Sequence, residues 1–315
     1  MQWLTRTPNF NFVKYRRVAM WTSGILSLIA IITIIYPGLN YGVDFTGGIL
    51  VEARYPGPPD LEDIRTELGA AGFEQVQVTS SGTDALIRLP PPEGVDGADL
   101  DADAITALQN RVLEVLREHE PNVDPRGVAN VGSQVGEELF ENAGLALLFA
   151  LIMIFVYVML RFRWKLAVGA IIATVHDVVV TTGVFAVMGW QFDLTVLGSI
   201  LAVLGYSIND TIVVYDRIRD NFRLMRRGTP EAIVNASMNQ TLARTLVTGV
   251  TTLLVLFALI FVGGETLWGF SVALVIGIVV GTYSSIYVAS SMALVLKVEQ
   301  SDFVEQKRVA ADDLP

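Results

Sequence analysis

The chemistry that this sequence offers lies in a few ionisable residues within or beside long apolar stretches. Asp210 is the only charged residue in the stretch 194–215, and Arg244 directly precedes the uncharged stretch 245–264. A charged side chain at the centre of a bilayer costs at least about 2.5–3.5 kcal/mol, so it usually has a partner and a function. A carboxylate that faces a guanidinium can gain and lose a proton, and we predict that Asp210 and Arg244 belong to a proton pathway.

A polar face continues from Arg244 along the same predicted helix. Its members recur at helical spacing, and Thr248 is our third candidate for the pathway. Plainer interpretations stay open: threonines also serve close helix packing, Arg244 can extend to the cytoplasmic interface, and Asp210 is wetted if its span ends early. The face consists of Thr241, Arg244, Thr245, Thr248, Thr251 and Thr252.

His176 and Asp177 interrupt a third apolar stretch, 166–192, near its middle. Asp177 shares a helix face with Thr174 and Thr181. A proton relay is one interpretation, and we include Asp177 in the predicted pathway. A structural hydrogen bond to a neighbouring helix is the other.

The elements that must hold these residues are membrane helices. Hydrophobic residues make up 52% of the 315 residues, charged residues 17%, and the mean hydropathy is +0.50. A soluble domain carries about 25% charged residues, and a membrane-spanning helix needs about 20 mostly apolar ones. We therefore predict an all-α polytopic membrane protein with six transmembrane helices. The apolar stretches are 18–36, 144–160, 166–192, 194–215, 245–264 and 266–296.

The distribution of Lys and Arg predicts how these helices are oriented. The tail 1–17 and the loops 161–165 and 217–227 carry the basic clusters, whereas the loops 189–193 and 263–266 have no Lys or Arg. Both termini are then cytoplasmic. The predicted organisation is a cytoplasmic tail (1–17), transmembrane helix 1 (18–36), an extracytoplasmic domain (37–141), transmembrane helices 2–6 (142–296) and a cytoplasmic tail (297–315).

The segment 37–141 predicts a small acidic domain. It carries 20 acidic residues and 6 arginines, whereas the rest of the chain has 12 acidic and 16 basic residues. This charge distribution provides no basic groove for nucleic acid. Strand and helix patterns follow the order βαββαβ, which is typical of an α+β ferredoxin-like fold. The predicted elements are 48–55, 60–71, 75–79, 85–89, 105–116 and 123–131.

Several kinds of chemistry are missing from the sequence. There is no cysteine and there are only two histidines, so thiolate sites are excluded and a histidine-built zinc site is disfavoured. The patterns G-x-x-x-x-G-K-[ST], H-E-x-x-H and G-x-S-x-G do not occur. We expect no metal, no cofactor and no enzymatic activity, and any transport must draw on an ion gradient or on another protein.

Three glycines flank Asp44 where the first predicted helix meets the outer domain. Gly42, Gly47 and Gly48 permit backbone angles that other residues resist. One interpretation is a tight turn that begins a strand. The other is a hinge that, with 131–139 on the return path, passes helix movement to the outer domain.

Five motifs relate the chain to a known family. They are GVDFTGG at 42–48, VGSQVGEEL at 131–139, HD at 176–177, GYSINDTIVVYDRIRDN at 205–221 and NASMNQTLARTLVTGVTT at 235–252. With these motifs the chain resembles the SecF family, membrane subunits of the bacterial SecDF protein-export complex within the resistance-nodulation-division superfamily. The resemblance covers nearly the whole chain, although Ser133 stands where the family often has proline.

The resemblance implies a function and a set of partners. It implies a multi-pass subunit of the bacterial inner membrane that couples the proton motive force to polypeptide export, together with a SecD-type subunit. The SecYEG translocon, the translocating polypeptide and the lipid bilayer are the other partners implied. The proton-pathway aspartate and arginine of the family correspond to Asp210 and Arg244.

Two other classes of function remain open from the sequence. One is a small-molecule exporter of the same superfamily, although such pumps commonly carry a second outer domain and a second set of spans. The other is a passive translocon scaffold without proton conduction, which would tolerate neutralisation of Asp210.

Single cysteines test the predicted topology directly, because the chain has none of its own. We expect Asp99→Cys to react with an impermeant thiol reagent added from outside, and Arg226→Cys to remain unlabelled. The measurement is labelling of intact cells. The reverse pattern would contradict the orientation and the export function together.

Overall fold

A computed structural model describes residues 8–73, 76–81, 83–90, 102–131, 133–225 and 228–303. Six helices in this part of the chain are long and apolar enough to cross a membrane, which confirms the predicted number of spans and an integral membrane protein. Asp99, Gly132 and Arg226 lie outside the described residues, as do 1–7 and 304–315 of the predicted tails.

The chain forms two compact units. The membrane unit comprises Met1–Leu39, Leu147–Trp190 and Gly198–Pro315, and the outer unit comprises Asn40–Ala146 and Gln191–Leu197. The elements in chain order are α1 (Phe12–Ile35), β1 (Asn40–Tyr41), α2 (Val43–Thr46), β2 (Gly48–Arg54), α3 (Leu61–Ala70), β3 (Gln77–Ser81), β4 (Asp84–Leu89), α4 (Ala102–His119), β5 (Asp124–Val131), α5 (Ser133–Arg161), α6 (Trp164–Met188), β6 (Gln191–Phe192), α7 (Leu194–Leu224), α8 (Pro230–Val262), α9 (Gly264–Ser284), a π-helical turn (Ser285–Ala289) and α10 (Ser290–Val295).

Local sequence signals set the ends of several long helices. The Asn11 side chain accepts the Lys14 amide at the start of α1, and Thr229 caps α8 directly before Pro230. Both are typical helix starts. A polar cap accepts a hydrogen bond from a backbone N–H that has no partner within the helix, and proline has no backbone N–H that would need one. Gly189 ends α6 in the left-handed conformation, at φ 64°.

Close contacts between small residues hold the membrane unit together. A Cβ atom on Gly183 of α6 would overlap Ala30 of α1, and one on Gly277 of α9 would overlap the Val203 side chain of α7. Such contacts let helices approach where no hydrophobic effect drives them together. The α6 span is mostly buried within the unit, whereas the α1, α5 and α8 spans leave most of their apolar surface exposed.

The outer unit contains a four-stranded antiparallel sheet in the order β3-β4-β2-β5. Side chains alternate along β2, where Ile49, Val51 and Ala53 face the core. The helices α3 and α4 pack against this core through Leu68 and Leu116, among other residues. All six secondary-structure elements predicted for 37–141 are present, with ends shifted by a few residues.

A second, parallel pair of strands was not predicted. Asn40–Tyr41 pairs with Gln191–Phe192, so the short segment between α6 and α7 belongs to the outer unit. The sequence predicts only a loop over 189–193, because two-residue strands leave no periodic pattern.

Gly277→Ala tests the contact between α7 and α9. The added methyl group has no room beside Val203, and overpacking of this kind costs about 1–3 kcal/mol. Gly198→Ala is the matched control, since no atom lies within 4 Å of its added Cβ. We expect a lower unfolding midpoint in detergent for Gly277→Ala alone, and equal midpoints would contradict the contact.

Candidate functional site

Asp210 lies in the interior of α7 and is almost entirely buried. Only 2% of its surface is exposed, and its Oδ2 atom has no hydrogen-bond partner among the described residues. Buried carboxylate oxygens are nearly always paired, so an unpaired one marks a place where a proton, water or a partner group belongs.

The polar face predicted on α8 lies beside the Asp210 face of α7. The Tyr206 hydroxyl, one turn before Asp210, is in van der Waals reach of the Gly249 position, at 3.5 Å from an added Cβ. It also lies near the hydroxyls of Thr248 and Thr252, but it makes no hydrogen bond of good geometry in the described part of the chain. The polar face of α8 therefore lies beside the turn of α7 that carries Tyr206.

Most hydroxyl protons of the α8 face are already used within the helix. Thr248 donates to the Arg244 and Thr245 carbonyls, both at 3.0 Å, and Thr252 donates to the Thr248 carbonyl at 2.9 Å. The Thr245 hydroxyl is buried and has no partner among the described residues. Thr248 and Thr252 can consequently offer lone pairs, but not protons, to anything between the helices.

Arg244 does not form a direct ion pair with Asp210 within the described residues. Its side chain is exposed, and its charge acts on Asp210 only through space. The direct pairing that the sequence suggested is thus absent from this conformation, although the two groups remain electrostatically coupled. The Coulomb energy of two charges depends on the distance between them. The interaction between Arg244 and Asp210 therefore changes when either helix moves.

Asp177 has the opposite environment. It is completely buried, and its Oδ2 atom accepts hydrogen bonds from Ser207 of α7 at 2.5 Å and from Ser284 of α9 at 2.7 Å. The Nδ1 atom of His176 lies 2.9 Å from Asp177 Oδ1. The hydrogen bond to a neighbouring helix is therefore present, and it joins α6, α7 and α9.

In the outer unit, Asp44 joins the glycine-rich motif to the start of α7. Its Oδ1 atom accepts a hydrogen bond from Arg88 of β4 at 3.0 Å, and its Oδ2 atom accepts the Leu194 amide at 3.3 Å. Asp193 caps the same helix end through the Val196 amide at 2.8 Å. Two carboxylates thus stabilise the first turn of the helix that carries Asp210.

The glycines of this motif permit close backbone packing. Gly47 has φ 73°, Gly42 donates its amide to the Phe192 carbonyl at 2.9 Å, and a Cβ on Gly136 would overlap the Phe45 carbonyl. The motifs at 42–48 and 131–139 therefore contact each other. Aromatic rings of Tyr41, Phe45, Phe140 and Phe192 surround this contact.

Several residues of these sites are not predicted from the sequence. Asp193 had a visible signal, since an aspartate directly before an apolar helix is a typical cap. Arg88, Ser207 and Ser284 had none, because each acts on a residue at least 30 positions away.

A separate group of ionisable residues surrounds a cavity of about 320 Å³ in the outer unit. Burial raises the pKa of Tyr55, and it raises the pKa of Glu67 although His119, at 3.4 Å, opposes that change. This group shares no residue with the predicted pathway. No cluster of three or more metal-ligating side chains occurs among the described residues.

Comparison with known proteins decides the family. Residues 111–299 match the family model described as protein export membrane protein SecD/SecF, C-terminal, and residues 37–55 match the SecD/SecF GG motif. The protein translocase subunit SecF of Vibrio alginolyticus is 43% identical over 100% of this chain and 99% of its own length. The chain belongs to the SecF family.

Other SecF proteins and solved SecDF structures agree with this assignment. SecF of Escherichia coli O157:H7 is 42% identical over 95% of this chain and 91% of its own length. The crystal structure of SecDF from Thermus thermophilus, described as a translocon-associated membrane protein, matches with a TM-score of 0.74 at 36% identity. That match covers 94% of this SecF-family chain but 39% of the longer SecDF chain. The super-membrane-facing form of SecDF gives a TM-score of 0.75 with 93% and 39% coverage.

Asp44→Ala tests the link between the GG motif and α7. The substitution removes the carboxylate that accepts hydrogen bonds from the Leu194 amide and from Arg88. Loss of such a helix cap lowers the free energy of unfolding by about 0.5–2 kcal/mol. We expect faster hydrogen–deuterium exchange in residues 191–197, measured by mass spectrometry. Glu114→Ala, at an exposed position on α4, is the control, and unchanged exchange in Asp44→Ala would show that the contact contributes nothing.

Proposed function

We propose that this chain is a proton-motive-force-coupled accessory subunit of the Sec translocase, which assists polypeptide export together with a SecD-type subunit. The observation that carries the proposal is the buried, unpartnered carboxylate oxygen of Asp210, inside a membrane span and within the field of Arg244. Membership of the SecF family supports the same function.

The proposed cycle starts from ionised Asp210 under the influence of Arg244. A proton that enters from outside neutralises Asp210 and removes that attraction, so that α7 and α8 can shift; reopening inward returns the proton. Each proton that moves down the membrane potential yields about 2.3 kcal/mol per 100 mV. That energy is enough to bias a conformational equilibrium of a few kcal/mol.

Thr248 and Asp177 have supporting parts in this proposal. Thr248 lies beside Tyr206 and has lone pairs free to accept hydrogen bonds. Asp177 is connected to α7 through Ser207, three residues before Asp210. Both can therefore respond when α7 moves.

We infer the following setting for this activity. The protein lies in the bacterial inner membrane with both termini cytoplasmic, the tails are 1–17 and 297–315, and the helices are 18–36 and those within 142–296. The periplasmic domain 37–141 has a ferredoxin-like fold, supported by its βαββαβ order and by the sheet order β3-β4-β2-β5. The partners are a SecD-type subunit, SecYEG, the translocating polypeptide and the lipid bilayer. The exposed apolar surfaces of α1, α5 and α8 leave room for a subunit or lipid to cover them.

The junction around Asp44 passes movement between helix and outer domain in this proposal. The support is that Asp44 contacts both Arg88 of the sheet and the first amide of α7. Gly42, Gly47 and Gly48 supply the close backbone packing of the same junction.

The two competing functions make different predictions about Asp210. A small-molecule exporter of the same superfamily would conduct protons without stimulating polypeptide export. A passive scaffold would keep full export stimulation after Asp210 is neutralised.

Asp210→Asn is the decisive variant. It fixes a neutral side chain, and we expect proton flux in vesicles containing the SecD-type partner to fall about 100-fold or more, as for loss of a proton-transfer group. Export stimulation should be lost with it. Arg244→Lys keeps a positive charge that acts on Asp210 through space, but at a different distance, and should give intermediate rates.

Asp220→Asn is the matched control, because it makes the same change later on the same helix. Proton-gradient-dependent export by Asp210→Asn at the unaltered rate would show that Asp210 is structural and would refute the proposed coupling.

A further inference from the structure

A histidine nitrogen is buried without a partner in the membrane unit. The His176 side chain is 6% exposed, and its Nδ1 atom is turned towards Asp177. Its Nε2 atom has no hydrogen-bond partner among the described residues. Buried polar atoms in native structures usually have a hydrogen-bond partner, so we expect a further group to bind this nitrogen.

His176 lines a cavity of about 280 Å³ between α1, α6 and α10. Most of the wall is apolar, but Ser23 and Ser27 of α1 also line it. Ser23 donates its hydroxyl hydrogen to the Tyr283 hydroxyl at 3.2 Å, so it can offer only lone pairs to a water molecule. A buried water needs about 10–15 Å³ of accessible space and two to four polar partners. The imidazole Nε2 and the two serines supply groups of that kind.

On its other side, the imidazole leads to the fully hydrogen-bonded Asp177. The carboxylate accepts Ser207 and Ser284 on Oδ2, which leaves Oδ1 to face the histidine. No charged side chain occurs among the described residues that line the cavity or bond to this pair, apart from the pair itself. Ser207 of α7 and Ser284 of α9 bond to the pair. On the α1 side Ser23 lines the cavity, and its hydroxyl is bonded to that of Tyr283 on α9, which in turn donates to the Ala19 carbonyl.

We propose that His176 and Asp177 form a second protonation site, which takes its proton from water in this cavity through His176 Nε2. The inference rests on the proposed proton coupling, and it names an access route separate from Asp210. It assigns His176 a role as proton acceptor and Asp177 a role as the final holder of the proton.

The transfer balances in two steps. In the starting state Asp177 is ionised and His176 is neutral, with its hydrogen on Nδ1 and a lone pair on Nε2. A hydronium ion in the cavity gives a proton to Nε2 and becomes water, and the Nδ1 proton then passes to Asp177 Oδ1. The ring ends as the Nε2–H tautomer beside a neutral carboxyl group, and nothing is oxidised or reduced.

The consequence for the helices follows from the hydrogen bonds of Asp177. A neutral carboxyl group is a weaker acceptor than a carboxylate, so protonation loosens the contacts with Ser207 and Ser284. Because Ser207 precedes Asp210 by three residues on α7, the occupancy of this site changes how firmly the helix with Asp210 is held.

The small number of histidines makes a spectroscopic test sharp. The chain has two, and His119→Gln leaves His176 as the only imidazole. In ¹⁵N-histidine-labelled full-length chain in lipid bilayers, we expect the Nδ1–H tautomer before acidification and a different tautomer or charge state after it. Nε2 should also show exchange with water. Ring signals of His176 that neither change with pH nor exchange with water would overturn the proposal. This test leaves the His176 side chain itself unaltered.

Proton flux provides the second measurement. In vesicles with the SecD-type partner, we expect His176→Gln to lower the flux about tenfold or more, and His119→Gln to leave it unchanged. Flux of His176→Gln at the unaltered rate would overturn the second site while leaving the role of Asp210 intact. Loss of flux in His176→Gln, with normal flux in Asp210→Asn, would instead support this site and refute the role proposed for Asp210.

Discussion

A carboxylate inside a bilayer has no water to bind, so the protein itself has to satisfy it. Two such groups lie in the membrane spans among the described residues, and their surroundings differ. Asp177 is surrounded by Ser207, Ser284 and His176, whereas Asp210 keeps one oxygen without a partner. The first arrangement holds helices together. The arrangement at Asp210 leaves a buried carboxylate whose energy changes strongly when it binds a proton. The proton coupling that we propose requires this property.

The satisfied carboxylate depends on small residues around it. Hydrogen bonds of 2.5 and 2.7 Å from two other helices to one oxygen require those helices to lie very close to α6. Gly281 makes this possible, because an added Cβ would lie 3.3 Å from the Ser207 Cβ and 3.5 Å from Asp177 Oδ2. Close helix packing and the hydrogen bonds of Asp177 therefore depend on each other, since a larger residue at position 281 would separate Asp177 from its donors.

The helix α7 contributes residues to both compact units. Its first turn lies in the outer unit, where Asp44 and Asp193 accept its free amides, and its later turns carry Ser207 and Asp210 in the membrane unit. The GG motif of the SecF family thus contacts the end of the element that also bears the buried acid.

The sequence by itself determined the number of spans and the helices and strands of the outer domain. It also singled out Asp210 as the lone charge of one span, and Arg244 and Thr248 as members of one polar helix face. Hydropathy, periodicity and capping are local properties, so they are readable without a fold. Only the tertiary structure decided that Asp177 receives Ser284 from 107 residues away, that Asp44 accepts an amide 150 residues away, and that Arg244 stands apart from Asp210 in this conformation. These depend on which helix faces meet and at what distance. That outcome is set by side-chain packing over the whole chain, which no local pattern records.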